Sequence, residues 1–119
     1  IYGTDGDDLL AGGLGADTLY GGSGADSFLF GSIADAGDTV MDFNAAEGDT
    51  LDLSLLLAGF DPLQDSINDF VFATANGTDT VISVNTAGTG AAGAVELATL
   101  DAVSGVTVDD LFNIASLVI

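Results

Sequence analysis

Three aspartates, Asp8, Asp17 and Asp26, recur at intervals of nine, each closing a glycine-rich run. The first unit is Gly3-Thr4-Asp5-Gly6-Asp7-Asp8-Leu9-Leu10-Ala11. The second is Gly12-Gly13-Leu14-Gly15-Ala16-Asp17-Thr18-Leu19-Tyr20, and the third is Gly21-Gly22-Ser23-Gly24-Ala25-Asp26-Ser27-Phe28-Leu29. All follow G-G-x-G-x-D-x-U-x, with U a large apolar residue. Fourteen of the fifteen fixed positions match, and Thr4 is the one departure. The chemistry open to this spacing is capture of a hard cation. Carboxylates stacked at ~5 Å, with an effective dielectric near 20, repel by roughly 3 kcal/mol. A divalent cation between them turns that repulsion into attraction. Calcium suits the task, because it accepts about six to eight oxygens in flexible geometry, backbone carbonyls included.

The elements that must position these groups follow from the same nine residues. Positions one to six have to turn tightly with their carbonyls exposed, and glycine permits both positive φ and close backbone approach. Positions seven to nine form a short strand whose large apolar residue, Leu10, Leu19 or Phe28, points inward. Two units make one coil, so turns eighteen residues apart stack on one edge. Asp8 then faces Asp26, while Asp17 lies on the opposite edge. Eighteen residues on from Asp17 is Asp35, with Asp38 close behind. Eighteen on from Asp26 is Asn44, next to Asp42. A fourth and fifth turn of irregular sequence are therefore expected to close the sites opened by the second and third.

Composition narrows the function further. The 119 residues contain no Lys, Arg, His or Cys and 19 acids, for a formal charge of −19. No side-chain salt bridge can form. Nucleic acid and anionic membrane are poor partners for such a surface, whereas metal cations or a salty exterior supply the counter-charge. A marine or high-salt bacterium would favour the same acidity, but habitat does not explain the register of the aspartates. Thiol nucleophiles, Ser-His-Asp triads and Schiff bases are excluded, and zinc loses its usual ligands. Only paired carboxylates remain for catalysis, and adjacent acids such as Asp7-Asp8 and Asp109-Asp110 carry little information in so acidic a chain. The reading is of a protein that is not an enzyme. Its longest apolar run, Leu55-Leu56-Leu57-Ala58, is too short to span a bilayer, and no membrane insertion is expected. Three units offer little core alone, so a downstream cap and further upstream repeats are expected.

Beyond the repeats, Asp38-Thr39-Val40-Met41-Asp42-Phe43 and Gly48-Asp49-Thr50-Leu51-Asp52-Leu53-Ser54 alternate apolar and polar residues, as half-buried strands do. Leu55 to Ala58 reads as a helical turn ended by Gly59, with Pro62 in the loop that follows. Strands over Phe70 to Thr74 and Thr80 to Asn85 flank a hairpin signal at Asn76-Gly77. Thr86 to Gly93 reads as a connector and Ala94 to Leu100 as a strand. Thr107 reads as the N-cap of a short helix to Asn113, with Asp109 and Asp110 in its first turn. Ser116 to Ile119 is a terminal strand.

The repeats are the signature of the calcium-binding parallel β-roll of RTX proteins. Together with the segments at Asp38 to Phe43 and Gly48 to Ser54 and the short apolar tail, they resemble the C-terminal, type I secretion target domain of large RTX adhesins and exoproteins. The resemblance implies an all-β fold. A short calcium-bound parallel β-roll over residues 1–32 runs into a β-sandwich-like cap with one or two short helices over residues 33–119. It also implies that each calcium bridges two stacked turns through carbonyls and aspartates. The first site maps onto Gly3, Asp5 and Asp8 with Gly22, Gly24 and Asp26. A second maps onto Gly12, Leu14 and Asp17 with Gly31, Ile33 and Asp35. A third maps onto Gly21, Ser23 and Asp26 with Val40, Asp42 and Asn44. Asp38 is the alternative acid beside Asp35, and two or three ions are expected. The implied role is to end a large secreted or surface protein, carry its export signal to the type I secretion machinery, and fold on calcium outside the cell. The other readings are an accessory domain of a secreted protease, lipase or polysaccharide-modifying enzyme, and a module binding ice or sugar directly. No threonine rank forms at the nonapeptide spacing, which speaks against ice.

Overall fold

The computed structural model describes residues 1–31, 37–57, 67–86, 88, 94–103 and 117–118. The expected helix at Thr107 to Asn113, the loop at Pro62, Gly59, most of the Thr86 to Gly93 connector, and the candidate ligands Ile33 and Asp35 lie outside these residues.

The repeats coil as the nine-residue spacing requires. Strand β1 (Leu9–Leu10) lies on one side of the roll, β2 (Thr18–Leu19) on the other, and β3 (Ser27–Leu29) returns to the first side. Leu9 pairs with Ser27 and Leu10 with Phe28 in parallel. Isolated bridges between Tyr2 and Tyr20 and between Asp5 and Ser23 extend the same eighteen-residue register around the turn. The coil continues through β4 (Asp38–Val40) and β5 (Thr50–Asp52). Here the register departs from eighteen. Thr18 pairs with Thr39 and Ser27 with Thr50. The aspartate in register with Asp17 is therefore Asp38, not Asp35. The one in register with Asp26 is Asp49, not Asn44. The pairing interval lengthens to twenty-one and then twenty-three residues while the strands stay parallel and stacked.

The cap grows from the roll's own sheets. Strands β6 (Val71–Asn76), β7 (Asp79–Val84), β8 (Val95–Leu100) and β9 (Leu117–Val118) complete two sheets ordered β1-β3-β5-β9 and β2-β4-β8-β7-β6. The first sheet is parallel throughout. The second is mixed, because β8 runs parallel to β4 but antiparallel to β7. The hairpin loop between β6 and β7 is Gly77-Thr78, one residue later than the Asn-Gly signal suggests, since Asn76 still pairs with Asp79. Gly77, at φ 65°, takes the positive-φ first position that a two-residue turn of this type demands. Short 3-10 helices at Ala45–Glu47 and Ile67–Asp69 are the helices among the described residues. A helical turn also forms where Leu57 N–H bonds Leu53 C=O at 3.0 Å.

One core lies between the two sheets. Leu10, Leu19 and Phe28 are buried in it as the inward positions of the repeats, and Val40 and Leu51 repeat the pattern in the next coils. The cap adds Leu53, Ile82, Val84, Leu97 and Leu100. Phe43 packs against Phe28 with ring centroids 6.3 Å apart.

Candidate metal centre

The stacked turns place one aspartate above another along each edge, linked through the backbone. Asp8 N–H donates to Asp26 Oδ1 at 2.9 Å. Asp26 N–H donates to Asp49 Oδ1 at 2.9 Å. On the opposite edge Asp17 N–H donates to Asp38 Oδ1 at 2.7 Å. Each carboxylate thus reaches back toward the preceding coil. One edge carries Asp8, Asp26 and Asp49, and the other carries Asp17 and Asp38.

The glycine at position one is required by where the carboxylate sits. A Cβ on Gly12 would lie 2.7 Å from Asp17 Oδ2, and one on Gly3 would lie 2.8 Å from Asp8 Oδ2. A Cβ on Gly21 would overlap Asp26 Oδ2 and press on Phe28 at 3.0 Å. Gly22 and Gly24 adopt positive φ, and a Cβ on either would collide with the Thr4 and Gly6 carbonyl oxygens of the coil before. The turns are therefore packed backbone on backbone, and only glycine allows it.

Two carboxylate oxygens stand out. Asp17 Oδ2 and Asp26 Oδ2 are buried and accept no hydrogen bond. A buried acceptor left without a partner costs about 1–3 kcal/mol, more if charged. Asp26 as a whole is inaccessible to solvent. Burial pushes its carboxyl above the usual aspartate range, opposed by the Asp8 amide and reinforced by the charges of Asp8, Asp42 and Asp7. Burial raises Asp49 as well, against the hydrogen bonds from the Asp26 and Asn44 amides. A cation at these seats would supply the missing partner and offset the like charges.

The donor set is all oxygen and fits calcium. Among the described residues no three carboxylates gather on one point. A cation between coils therefore has at most a pair of aspartates and draws its other oxygens from backbone carbonyls, as calcium allows and zinc does not. Of the remaining sequence candidates, Asp5 accepts from Ser23 Oγ at 2.9 Å. Leu14 is exposed on the second turn, and Gly31 follows β3. Asp42 accepts from the Gly21 and Gly22 amides at 2.7 and 2.8 Å.

Sequence reasoning missed Asp49 and Glu47. A signal for Asp49 is present: Asp17-Thr18-Leu19, Asp26-Ser27-Phe28, Asp38-Thr39-Val40 and Asp49-Thr50-Leu51 share one Asp-hydroxyl-apolar triplet. Following the triplet instead of a fixed count of eighteen finds both later coils.

The family profile described as RTX calcium-binding nonapeptide repeat (4 copies) matches residues 1–32. Among solved structures, the C-terminal domain (RV) of MpAFP is similar at 33% identity and a TM-score of 0.56, covering 85% of this chain and 74% of that one. A search of curated proteins returned no match. The chain belongs to the RTX calcium-binding nonapeptide-repeat family. It is a calcium-binding RTX module whose β-roll is continuous with a β-rich cap.

Proposed function

We propose that this module ends a secreted or surface-displayed RTX protein, a large bacterial adhesin, and that calcium between its stacked turns completes its fold outside the cell. The observation that carries the reading is the pair of buried, unpartnered oxygens, Asp17 Oδ2 and Asp26 Oδ2, set in glycine turns at coil spacing. Asp8 with Asp26 would hold calcium on one edge, and Asp17 with Asp38 would hold it on the other. When bound, the ion supplies positive charge and a shared coordination shell that ties one coil to the next. The chain's own part is to present oxygens without cations of its own, so that an unfilled seat is repulsive and a filled one cohesive. The module is non-catalytic in this reading. The zero count of His, Cys, Lys and Arg supports it.

Register decides which acids matter. Asp17→Ala removes a position-six carboxylate whose Oδ2 is buried, while Asp101→Ala removes one just after β8 (Val95–Leu100). Calorimetric titration is expected to show the loss of about one bound ion from the first variant and an unchanged ion count in the second. Equal losses would remove the case for register.

Export is assigned to the same module by its family resemblance and its apolar tail. Deleting residues Thr107 to Ile119 is expected to leave the chain inside cells that carry a type I system, at unchanged synthesis. Efficient secretion of the truncated chain would place the signal elsewhere.

A further inference from the structure

The contact between the first and third turns differs from the contact that closes the third. In the first turn, the position-one and position-four amides find backbone partners in the next coil: Gly3 N–H donates to Tyr20 C=O at 2.7 Å and Gly6 N–H to Ser23 C=O at 3.0 Å. The third turn stacks instead on the loop Asp42 to Asp49, and there the acceptors are carboxylates. Gly21 N–H donates to Asp42 Oδ1 at 2.7 Å, and Gly24 N–H donates to Glu47 Oε2 at 3.2 Å. The loop is itself braced. Asn44 caps its 3-10 helix through Ala46 N–H and donates to Glu47 Oε1 at 2.9 Å, while Asp49 Oδ2 accepts from Asn44 N–H at 2.8 Å.

The position-two amide shows what this exchange achieves. In the first turn, Thr4 N–H donates to Asp8 Oδ2 at 2.8 Å, so that oxygen of the turn's own carboxylate is bonded within the turn and Oδ1 is left for a cation. In the third turn, the equivalent Gly22 N–H is taken by Asp42 Oδ2 at 2.8 Å. Asp26 Oδ2 is left buried with no partner. Two successive amides around a positive-φ glycine form a concave seat for an anion, and Asp42 fills it with both oxygens through charge-assisted bonds, which are the strong kind.

We infer that Asp42 is a positioning residue for calcium: it takes the Gly22 amide that would otherwise satisfy Asp26 Oδ2, and so reserves that oxygen for the cation. Glu47 and Asp49 hold the rest of the same turn from the same side. The inference rests on the calcium reading above and deepens it. It makes the closing loop a metal-free clamp that prepares the calcium seat facing the first turn, it turns Asp42 from an expected ligand into a positioning residue, and it gives function to Glu47 and Asp49, two acids that the nine-residue pattern does not reach.

Terbium, a luminescent calcium surrogate, tests it in the full chain. The protein has two tyrosines and no tryptophan. Tyr2 and Tyr20 stack at 4.8 Å, and they immediately precede Gly3 and Gly21, the first residues of the two turns in question. Tyrosine-excited terbium emission therefore reports this edge. Asp42→Ala is expected to weaken terbium and competing calcium by about tenfold or more, the scale of one charge-assisted hydrogen bond. Asp42→Asn, which keeps one acceptor oxygen, should fall between it and wild type. Asp101→Asn, which removes the same charge from the strand beside Asp42, where the Asp101 amide bonds Val40 C=O, takes away no hydrogen bond to the third turn and should change affinity less than either Asp42 variant. Hydrogen exchange supplies a second readout. In Asp42→Ala the Gly21 amide should exchange faster, while Gly22 stays protected by its new bond to Asp26. Circular dichroism at saturating calcium checks that the variants fold, and if Asp42→Ala does not, Asp42→Asn decides. Affinities of the Asp42 variants equal to that of Asp101→Asn would overturn the inference and leave the calcium reading standing. Failure of the wild-type chain to bind terbium or calcium would instead remove the calcium reading itself.

Discussion

In calcium-free buffer at neutral pH the nonapeptide segment should lose its structure, and millimolar calcium should restore it. The apo chain carries −19 with no cationic side chain, and its buried aspartates face one another across coils. Because the seat does not exist in the unfolded chain, binding energy is folding energy. Extracellular calcium modules have dissociation constants of ~0.1–1 mM. At ~10 mM calcium each site then adds about 1.4–2.7 kcal/mol. Two or three sites supply roughly 3–8 kcal/mol, against a total of about 5–15 kcal/mol for an ordinary domain. At sub-micromolar calcium the same contribution vanishes, which suits the proposed export of the chain in an unfolded state. Circular dichroism with a chelator, then calcium titration at fixed ionic strength, separates binding from screening. An unchanged spectrum and melting temperature in chelator would contradict the expectation. Acid provides a corollary. Asp26 and Asp49 have raised pKa values in the fold, so the folded state holds their protons more tightly than the unfolded chain. That contribution is complete below the ordinary aspartate value, about 3.9, and is lost as pH rises through the raised values. Dialysed, calcium-free protein should therefore melt at a higher temperature as pH falls from 7 toward 4, and calcium should matter less there.

Phe28→Ala should cost about 3–5 kcal/mol, the usual range for emptying a buried phenylalanine site. Phe28 is fully buried, supports Gly21 beneath the Asp26 carboxylate, and packs against Phe43. Where calcium drives folding, this loss reappears as a demand for more calcium. A loss of ~3 kcal/mol shared by two ions is about 1.5 kcal/mol each, or roughly a tenfold higher calcium midpoint, since 1.4 kcal/mol is a factor of ten. Leu14→Ala is the control, because Leu14 is 78% exposed. Calcium-titrated circular dichroism should show the midpoint shift for Phe28→Ala and almost none for Leu14→Ala. Equal midpoints would uncouple the core from the seats.

The repeats were legible because every constraint on them is local. A glycine where the carboxylate folds back, an aspartate at position six and one inward residue at position eight all fall within nine residues, and Leu10, Leu19 and Phe28 take the core places that spacing assigns. The parallel pairing of β1 with β3 followed from the same count. After Leu29 the count fails, because the fourth and fifth turns are longer and their glycines are replaced. Nothing in a loop's length is dictated by the strand that follows it. What persists is the triplet at Asp38 and Asp49, since a strand still needs its inward residue and the preceding coil's amide still needs a carboxylate. The parallel pairing of β4 with β8 and β5 with β9 was not legible. Those strands meet across large sequence separations, where packing alone selects the partner.

The most direct measurement is a crystal structure grown with calcium, with ions located by their anomalous signal. The account predicts an ion between the turns Gly3–Asp8 and Gly21–Asp26, with the Asp8 and Asp26 carboxylates among its ligands, and another at Asp17 on the opposite edge. An intact roll with no ion between its turns, or calcium bound only to exposed acids such as Glu96, would contradict it.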